Sequence, residues 1–393
     1  MQDLEYEINI LKKLVAINTD SVKKSGYEEC AKIIHDEAEK IGLKVEIYDA
    51  RNKTVDNLPR PSVVATLDVG SSRTLLGIAH YDIVPPGDEW TYSPFSLTVV
   101  GNRAYGRGAA DDKSAIVALL GAARKVKEKA KMNLKILITP DEEVGGKLGL
   151  GYLMEDIGVK GDEALIMDAG TNLLSIGCSG IISGTITVKG IQGHAGHPHS
   201  ALNALSGIAK LIITLEKFQA FREQKLSKMD SPPDSPKKKL WGRFSVTMLK
   251  SGEKSNIIPG VAEATFDMRL LPEEDSSVAE KELRDFLAKV DLGDPRYKVE
   301  LNITLTAGSY YIDPHHQFVQ RFKKAIEKAT GKEIPLAAEL GGNDGQYTSA
   351  KGIPTISYGT IRDDTHFHGS NEFVWLEDLK MGRDVVVHYL TMQ

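Results

Sequence analysis

Short apolar runs that end in acidic or histidine side chains are the feature that most constrains how this chain folds. The clearest run, Thr74–Ala79, leads directly into His80, with Asp82 two residues later. Residues i and i+2 at the end of a strand point to the same side of a sheet. Other apolar runs end close to a further set of candidate ligands: Asp111, Glu142, Glu143, Asp168 and His368. Ligands delivered from several strand ends are what a buried metal site needs, and their number suits two ions better than one.

The first part of the chain has the pattern of an α/β sheet. Its short apolar runs are Leu43–Tyr48, Ser62–Leu67, Thr74–Ala79, Leu134–Thr139 and Ala164–Met167. Helical patterns separate them, and Ile116, Leu119 and Ala123 mark a helix that we expect to be buried. Strands that alternate with helices predict a sheet with helices on both faces.

The pattern changes after Cys178. From Ile181 to about Thr306 the chain is predicted to run strand, helix, two strands, helix, strand. Apolar and polar residues alternate strictly along Ala262–Leu270, which indicates a sheet with one open face. We therefore predict a discontinuous metal-binding domain, residues 1–179 and 308–393, with a two-layer α+β domain, residues 180–307, inserted into it. The polar stretch Phe221–Trp241 is predicted to be a long surface loop that is either flexible or substrate-facing, with a flexible loop favoured.

Composition excludes several classes of protein. The chain has 393 residues, enough for two cores, and its net charge of −5 gives no sign of a nucleic-acid partner. Two distant cysteines, Cys30 and Cys178, do not make a disulfide framework and fit a reducing compartment. No run approaches the ~18 apolar residues of a membrane span. We expect a soluble, cytoplasmic protein that binds neither nucleic acid nor membrane.

The individual motifs each allow two interpretations. His80 could bind a metal while Asp82 accepts its other ring N–H, or it could be an exposed histidine beside a turn. Asp111 and Asp112 end a glycine-rich loop before a helix, so that either could cap the helix. Two carboxylates exceed what capping needs, however, and one carboxylate can bridge two cations.

Two acidic segments extend this pattern. Three consecutive carboxylates, Asp141 to Glu143, repel one another unless cations or water offset their charge, and apolar residues and glycines flank them. Asp168 alone ends another apolar run. Near the C-terminus, either His366 or His368 could be a ligand.

Seven motifs, in order, resemble those of the dinuclear-zinc metallopeptidases and deacylases. That family includes acetylornithine deacetylase, succinyl-diaminopimelate desuccinylase, aminoacylase, carboxypeptidase G and the carnosinase-like dipeptidases. The motifs cover essentially the whole chain: HYDIVPPGDEW, YGRGAADDK, PDEEVGG, MDAG, GHAGHPHSALNA, SNIIPGVAEATFDMR and HGSNEFV.

The resemblance implies a set of metal ligands. His80 and Asp168 would hold one zinc ion. Glu143 and His368 would hold a second, with Asp111 bridging the two, and the H-x-x-N-E spacing selects His368 over His366. Nitrogen and oxygen ligands without cysteine suit Zn²⁺, with Mn²⁺ and Co²⁺ as alternatives.

The resemblance also implies roles for residues that do not bind metal. Glu142 would be the general base and Asp82 would orient His80. The inserted domain would be a lid or dimerisation domain of a homodimer, in which His194 completes the partner subunit's active site. Arg269 and Asn256 would bind the substrate carboxylate and neighbouring polar atoms.

Two departures from the family pattern bear on the substrate. Asp168 stands where the deacylases usually carry glutamate, and Asp112-Lys113 is similar to the D-D-K of the carnosinase-like dipeptidases. The chain length, in contrast, is similar to that of the dimeric deacylases. We predict a metal-dependent hydrolase of small carboxylate-bearing amides, with dipeptides favoured over N-acyl amino acids. The alternatives are a biosynthetic deacylase acting on acetylornithine or succinyl-diaminopimelate and a non-catalytic metal-binding scaffold.

Overall fold

The computed structural model describes residues 2–392. Its α-helices are α1 (Glu5–Val15), α2 (Tyr27–Lys40), α3 (Lys113–Val126), α4 (Ala204–Gln224), α5 (Ser276–Leu287), α6 (Gln317–Thr330), α7 (Gly345–Ala350) and α8 (Leu376–Thr391). Its strands are β1 (Lys44–Asp49), β2 (Pro61–Leu67), β3 (Thr74–His80), β4 (Thr98–Val100), β5 (Arg103–Tyr105), β6 (Asn133–Thr139), β7 (Glu163–Ile166), β8 (Leu174–Cys178), β9 (Ile181–Lys189), β10 (Gly193–His194), β11 (Leu226–Asp230), β12 (Lys239–Trp241), β13 (Arg243–Ser251), β14 (Ile257–Ile258), β15 (Val261–Arg269), β16 (Lys298–Ala307), β17 (Tyr310–Tyr311), β18 (Leu336–Glu339), β19 (Thr355–Ser357) and β20 (Phe373–Trp375). None of the helices within residues 2–392 combines the length and the apolar character that a membrane-spanning helix requires.

The chain separates into two compact units. The first comprises Met1–Gly177, Ile312–Ala337 and Asn343–Gln393, and the second comprises Cys178–Tyr311 and Ala338–Gly342. The chain thus leaves the first unit after residue 177 rather than 179 and returns at 312 rather than 308. Residues 338–342 were not expected in the second unit. They belong there because the backbone N–H of Ser179 donates to the carbonyl oxygens of Glu339 and Gly341.

The first unit is an α/β structure, as the alternating pattern predicted, and its sheet is mixed. Its strands lie side by side in the order β1-β2-β6-β3-β7-β19-β8. β6, β3, β7 and β19 run parallel to one another, whereas the pairs β1-β2, β2-β6 and β19-β8 are antiparallel. Helix α3 is buried along most of its length and packs against β3. A separate apolar cluster that includes Ile78, Leu137 and Ile166 packs with Leu150 and Leu153.

The second unit has the predicted strand-helix-strand-strand-helix-strand order. Its four-stranded antiparallel sheet has the order β13-β15-β9-β16. Helices α4 and α5 contribute Ile208, Leu211 and Leu283 to a core with Ile186 and Phe266 from the sheet. Burial alternates along β15, so that one face of the strand packs on this core and the other is more exposed.

The prediction of a flexible loop at Phe221–Trp241 was wrong. Helix α4 continues to Gln224, and β11 and β12 then form an antiparallel hairpin. Met229, Leu240 and Trp241 are buried there. The lysines and prolines of this stretch obscured the period-2 pattern, because its few apolar residues are far apart in sequence.

Candidate metal centre

The candidate site begins at the carboxyl ends of three neighbouring parallel strands. β3 ends at His80, which pairs with Thr139 at the end of β6. On the other side of β3, Ile78 pairs with Ile166 at the end of β7, two residues before Asp168. Parallel strands bring the residues that follow their carboxyl ends to one edge of the sheet. The acidic segment after β6 and Asp168 therefore meet His80 at that edge.

Asp111 lies between two histidines. Its Oδ1 atom is 3.0 Å from Nε2 of His80, and its Oδ2 atom is 3.1 Å from Nε2 of His368. His368 Nε2 is also 3.2 Å from Oε2 of Glu143. The Asp111 carboxylate thus contacts two histidines that are far apart in the sequence, and each of its oxygens faces a different imidazole.

At this edge of the sheet, two groups of side chains have ligand atoms close enough to share an ion. His80, Glu142 and Asp168 form one group, and Asp111, Glu143 and His368 form the other. Within each group the ligand atoms lie within 4.8 Å of one another. His80 is buried, whereas 52% of the His368 side chain is exposed, so that solvent reaches the site on the His368 side. Imidazole nitrogens and carboxylate oxygens are a donor set that Zn²⁺, Mn²⁺ and Co²⁺ accept.

Asp82 contacts both His80 and the acidic turn. The Nδ1 atom of His80 is 3.1 Å from the carbonyl oxygen of Asp82 and 3.3 Å from its Oδ1 atom. The Asp82 carboxylate also accepts hydrogen bonds from the backbone N–H groups of Glu142 and Glu143, each at 3.2 Å. A proton held on Nδ1 leaves Nε2 as the free ligand atom of His80.

The two acids before α3 do not cap it with their side chains. Asp112 directly precedes the helix, but its side chain makes no capping hydrogen bond. Instead its Oδ2 atom accepts from the backbone N–H of His80 at 3.3 Å. The capping interpretation is therefore wrong for Asp112, because its carboxylate is directed at β3 and not at the first turn of the helix.

Burial and crowding of the carboxylates shift their pKa values. Burial raises the pKa of Asp168 to about 7, and the nearby Asp111 carboxylate adds to this effect. Burial also raises the pKa of Glu142 and of Glu143. Hydrogen bonds to Asp111 and Glu143 raise the pKa of His368 to about 10. So many negative groups in one place favour bound cations, since a cation offsets the repulsion among them.

Glu372 is a site residue to which the sequence analysis gave no role. It is fully buried, and its Oε1 atom accepts from the backbone N–H groups of Ala110 and Asp111 at 2.9 and 3.1 Å. Its Oε2 atom accepts from the N–H of Gly108 at 3.0 Å and from Nη1 of Arg107 at 2.6 Å. Glu372 thus fixes the loop that carries Asp111. The signal was present in the sequence, as an acid that directly precedes the apolar β20.

Asp344 was also missed. It is buried in the loop before α7, and it lines a small pocket with His80, Glu142 and Asp168. Burial raises the pKa of Asp344 to about 8. It lies in a Gly-Gly-Asn-Asp-Gly loop, which gives no sequence signal of a site because such loops are ordinary turns.

The three other predicted residues belong to the second unit. β10 and β14 form a short antiparallel pair in which His194 faces Ile257, and the N–H of Ala195 donates to the carbonyl oxygen of Asn256. His194 is exposed, and its Nδ1 atom accepts from the N–H of Gly196 at 3.0 Å.

Arg269 lies in a different sheet, the four-stranded sheet of the second unit. It ends β15, eight residues after Val261, which corresponds to about 26 Å along a strand. Its Nε atom donates to Oδ1 of Asp267 at 2.7 Å. His194 and Asn256 lie before the start of β15 and beyond the end of β9, so that the second unit keeps them far from Arg269.

Comparison with known proteins identifies the family. The model of peptidase family M20/M25/M40 matches residues 77–392. A protein of Methanocaldococcus jannaschii described as an uncharacterized metallohydrolase is 29% identical, over 96% of this chain and 97% of its own. An M20 family metallo-carboxypeptidase of Sulfolobus solfataricus has the same fold, with a TM-score of 0.83 and 21% identity over 98% of this chain and 99% of its own. The dipeptidase Dug1p of Saccharomyces cerevisiae has a TM-score of 0.75 and 18% identity, over 98% and 95% of the two chains.

The family match covers most of the chain, including His80 at the end of β3 and the segment that carries His368. The solved structures extend the likeness of the fold across both units. This protein is therefore a metal-dependent amide hydrolase and belongs to peptidase family M20/M25/M40.

Proposed function

We propose that the protein is a dinuclear metallopeptidase that hydrolyses small peptides with a free carboxylate, dipeptides above all. The observation that carries the proposal is the position of the Asp111 carboxylate between His80 and His368, with one oxygen directed at each imidazole. A carboxylate in this position can bridge two divalent ions. The simplest alternative is that Asp111 only forms ion pairs with His80 and His368. That alternative would not explain the other acidic residues around these three.

In the proposed site, His80 and Asp168 would hold one ion, Glu143 and His368 would hold the other, and the Asp111 carboxylate would be shared by both. Zinc fits this donor set best, with cobalt and manganese as alternatives. When bound, two such ions polarise a carbonyl oxygen and lower the pKa of a water molecule toward about 7.

Glu142 is the proposed general base. Its ligand atoms are close enough to His80 and Asp168 to bind an ion, so that its assignment as a base rests on the family resemblance. Its carboxylate would take a proton from the attacking water and deliver it to the leaving amine. General-base catalysis of this kind contributes roughly 10²–10⁴ in rate. Asp82 would hold His80 with Nε2 free and fix the backbone of Glu142.

We further propose that the enzyme works as a homodimer, in which His194 from one copy donates to the developing oxyanion at the other copy's metals. The positions of the substrate-binding candidates support this. An extended dipeptide spans roughly 7 Å, whereas Arg269 lies about 26 Å along β15 from the end near Asn256. If all three residues contact one dipeptide, they come from two copies of the second unit.

Exposed apolar side chains in the second unit also favour a second copy. Ile213 on α4 is 66% exposed, and Met248 and Leu249 on β13 are 66% and 51% exposed. β13 is moreover an edge strand of its sheet. Exposed apolar side chains beside an open strand edge are typical of an association surface.

Peptide substrates are favoured by Asp168, by Asp112-Lys113 and by the carboxypeptidase and dipeptidase among the solved structures with this fold. The chain length favours the alternative, a biosynthetic deacylase of the acetylornithine or succinyl-diaminopimelate type. A non-catalytic scaffold is disfavoured, because every proposed ligand and the proposed base are present.

A substrate panel tests the proposal. The purified protein, with its metal content measured, is assayed against dipeptides and N-acyl amino acids, including acetylornithine and succinyl-diaminopimelate. We expect two divalent ions per chain and turnover of dipeptides. Turnover of the acyl substrates alone would establish the deacylase, and no turnover of either class by the metal-loaded protein would contradict both.

Two substitutions test the assigned roles. Glu142→Ala should keep both ions and lose nearly all turnover, whereas His80→Ala should lose metal as well. Glu46→Ala, at an exposed position on β1, is the matched control and should change neither. Near wild-type turnover by Glu142→Ala would show that Glu142 is not the base.

A further inference from the structure

A small pocket adjoins the proposed base, Glu142. It has a volume of about 10 Å³ and is lined by Ile78, Ala79, His80, Thr139, Glu142, Ile166, Asp168 and Asp344. A space of this size is close to the minimum that holds one water molecule. All of its lining residues belong to the first unit.

Two polar atoms that belong to this lining have no hydrogen-bond partner among the residues described. They are Oγ1 of Thr139, at the end of β6, and Oδ2 of Asp344, in the loop before α7. Thr139 is fully buried and Asp344 is 4% exposed. Buried polar atoms are nearly always paired, and an unpaired one points to a water molecule or an ion. Two such atoms from separate elements around one small space point to the same occupant.

We propose that Thr139 and Asp344 hold a buried water molecule that positions the carboxylate of Glu142. The water makes one hydrogen bond with Oδ2 of Asp344, one with the carboxyl group of Glu142 and one with the hydroxyl group of Thr139. Three hydrogen bonds are the usual number for a buried water. The positioning role rests on the proposed function of Glu142 as the base.

The space suits water better than a hard cation of high coordination number, such as Mg²⁺ or Ca²⁺. A hard cation takes about six or more oxygen ligands, and a space of about 10 Å³ leaves no room for a cation's own hydration shell. The lining offers oxygens from Thr139, Glu142, Asp168 and Asp344, together with the His80 ring. A neutral water, which both donates and accepts, can pair with the Thr139 hydroxyl and with Glu142 and Asp344 whether or not these acids carry a proton.

Glu142 needs such an anchor because of its position in the chain. It begins a short 3-10 turn, Glu142–Val144, between Asp141 and Gly145, both of which have positive φ angles. Asp82 fixes its backbone N–H. The proposed water would fix the side chain of Glu142. Thr139 and Asp344 would then act as positioning residues, because they hold this water.

Substitutions of Thr139 test the positioning role. Thr139→Val removes the hydroxyl and keeps the shape, and we expect kcat to fall roughly 10- to 100-fold, the cost of a misplaced catalytic group. The KM and the metal content should stay unchanged, and Thr139→Ser should restore kcat. Thr355→Val, at a buried threonine at the start of β19, is the matched control and should keep wild-type kcat. Wild-type kcat in Thr139→Val, or a Thr139→Ser variant as slow as Thr139→Val, would overturn the role.

Substitutions of Asp344 separate hydrogen bonding from charge. Asp344→Asn keeps an acceptor oxygen and should retain most of kcat, whereas Asp344→Ala should be as slow as Thr139→Val. If both Asp344 variants are equally slow, the activity depends on the charge of Asp344 and not on its hydrogen bond to the water. The proposal is then wrong.

A high-resolution crystal structure of the metal-loaded wild-type protein tests the water itself. We expect one ordered water within hydrogen-bond distance of Thr139, Asp344 and Glu142, and we expect it to be absent in Thr139→Val. An empty space, or a cation recognised by anomalous scattering and by activity that requires K⁺ or Na⁺, would overturn the proposal. This result does not depend on turnover, so a protein that hydrolyses nothing on the panel would refute the proposed function and still decide whether the water is present.

Discussion

The hydrogen bonds of Glu372 predict that replacing it with glutamine is severely destabilising. Its carboxylate accepts four hydrogen bonds, two at each oxygen, from Arg107 and from the backbone of the loop before α3. A glutamine has the same shape but offers one acceptor oxygen, and its amide group would face two donors. Whichever way the amide turns, two bonds are lost in a fully buried place.

The size of the effect follows from those two bonds. A hydrogen bond to a charged group contributes about 1.5–3 kcal/mol, and breaking a buried ion pair costs about 3–5 kcal/mol. We therefore expect Glu372→Gln to lower the free energy of unfolding by about 3–5 kcal/mol. Because the loop also carries Asp111, the variant should bind metal more weakly as well.

Urea unfolding of the metal-free proteins measures the stability, and titration with zinc measures the affinity. The control is Glu377→Gln on α8, where the carboxylate is 57% exposed and pairs with Arg362 at the surface. That change should cost less than about 1 kcal/mol. A similarly small loss in Glu372→Gln would mean that Glu372 already carries a proton, and it would refute the account of the loop.

Three further predictions concern other parts of the molecule. Removing divalent ions with a chelator should lower the melting temperature, because the crowded carboxylates around Asp111 then repel one another, and added zinc should restore it. Arg222→Met should cost about 3–5 kcal/mol in urea unfolding, since this fully buried guanidinium lies 2.6 Å from both oxygens of Glu274, whereas the exposed Lys217→Met control should cost little. Lys125 and Arg383 lower the pKa of Asp3 to about 2, so that its contribution to stability is complete above about pH 4 and is lost as the pH falls toward 2. In metal-free protein, the difference in unfolding midpoint between wild type and Asp3→Asn should therefore shrink over that interval.

Much of the fold could be predicted because its strands are continuous apolar runs or strict alternations. Five predicted runs of the first unit became β1, β2, β3, β6 and β7, with ends shifted by a residue or two. The hairpin of β11 and β12 could not be predicted, because its lysines and prolines are typical of loops. The inclusion of residues 338–342 in the second unit depends on hydrogen bonds from the backbone N–H of Ser179. Backbone hydrogen bonds do not depend on the side chains, so the sequence does not indicate them.

The candidate ligands could be predicted because each follows a strand or a loop whose end is marked in the sequence. Residues that act through other residues gave no comparable signal. Glu372 binds backbone N–H groups of a loop more than 250 positions earlier, and Asp344 is directed into a space that forms between separate elements. Sequence periodicity shows which face of a single helix or strand is buried. The contacts of Glu372 and Asp344 join several separate elements, and periodicity therefore does not reveal them.

The geometry at Asp111 depends on how closely α3 approaches β3. A side chain at Gly77 would bring a Cβ atom within 2.6 Å of Leu119 on α3, so that glycine at this position allows the helix to pack directly on the strand. His80 ends that strand and Asp111 lies just before that helix, which is how the two come within 3.0 Å. β3 pairs with β6 on one side and β7 on the other, and a shift of one residue would turn His80 to the opposite face and break both ladders. The distance between the two ligands is therefore set by the packing at the centre of the sheet, together with the Glu372 hydrogen bonds that fix the loop before α3.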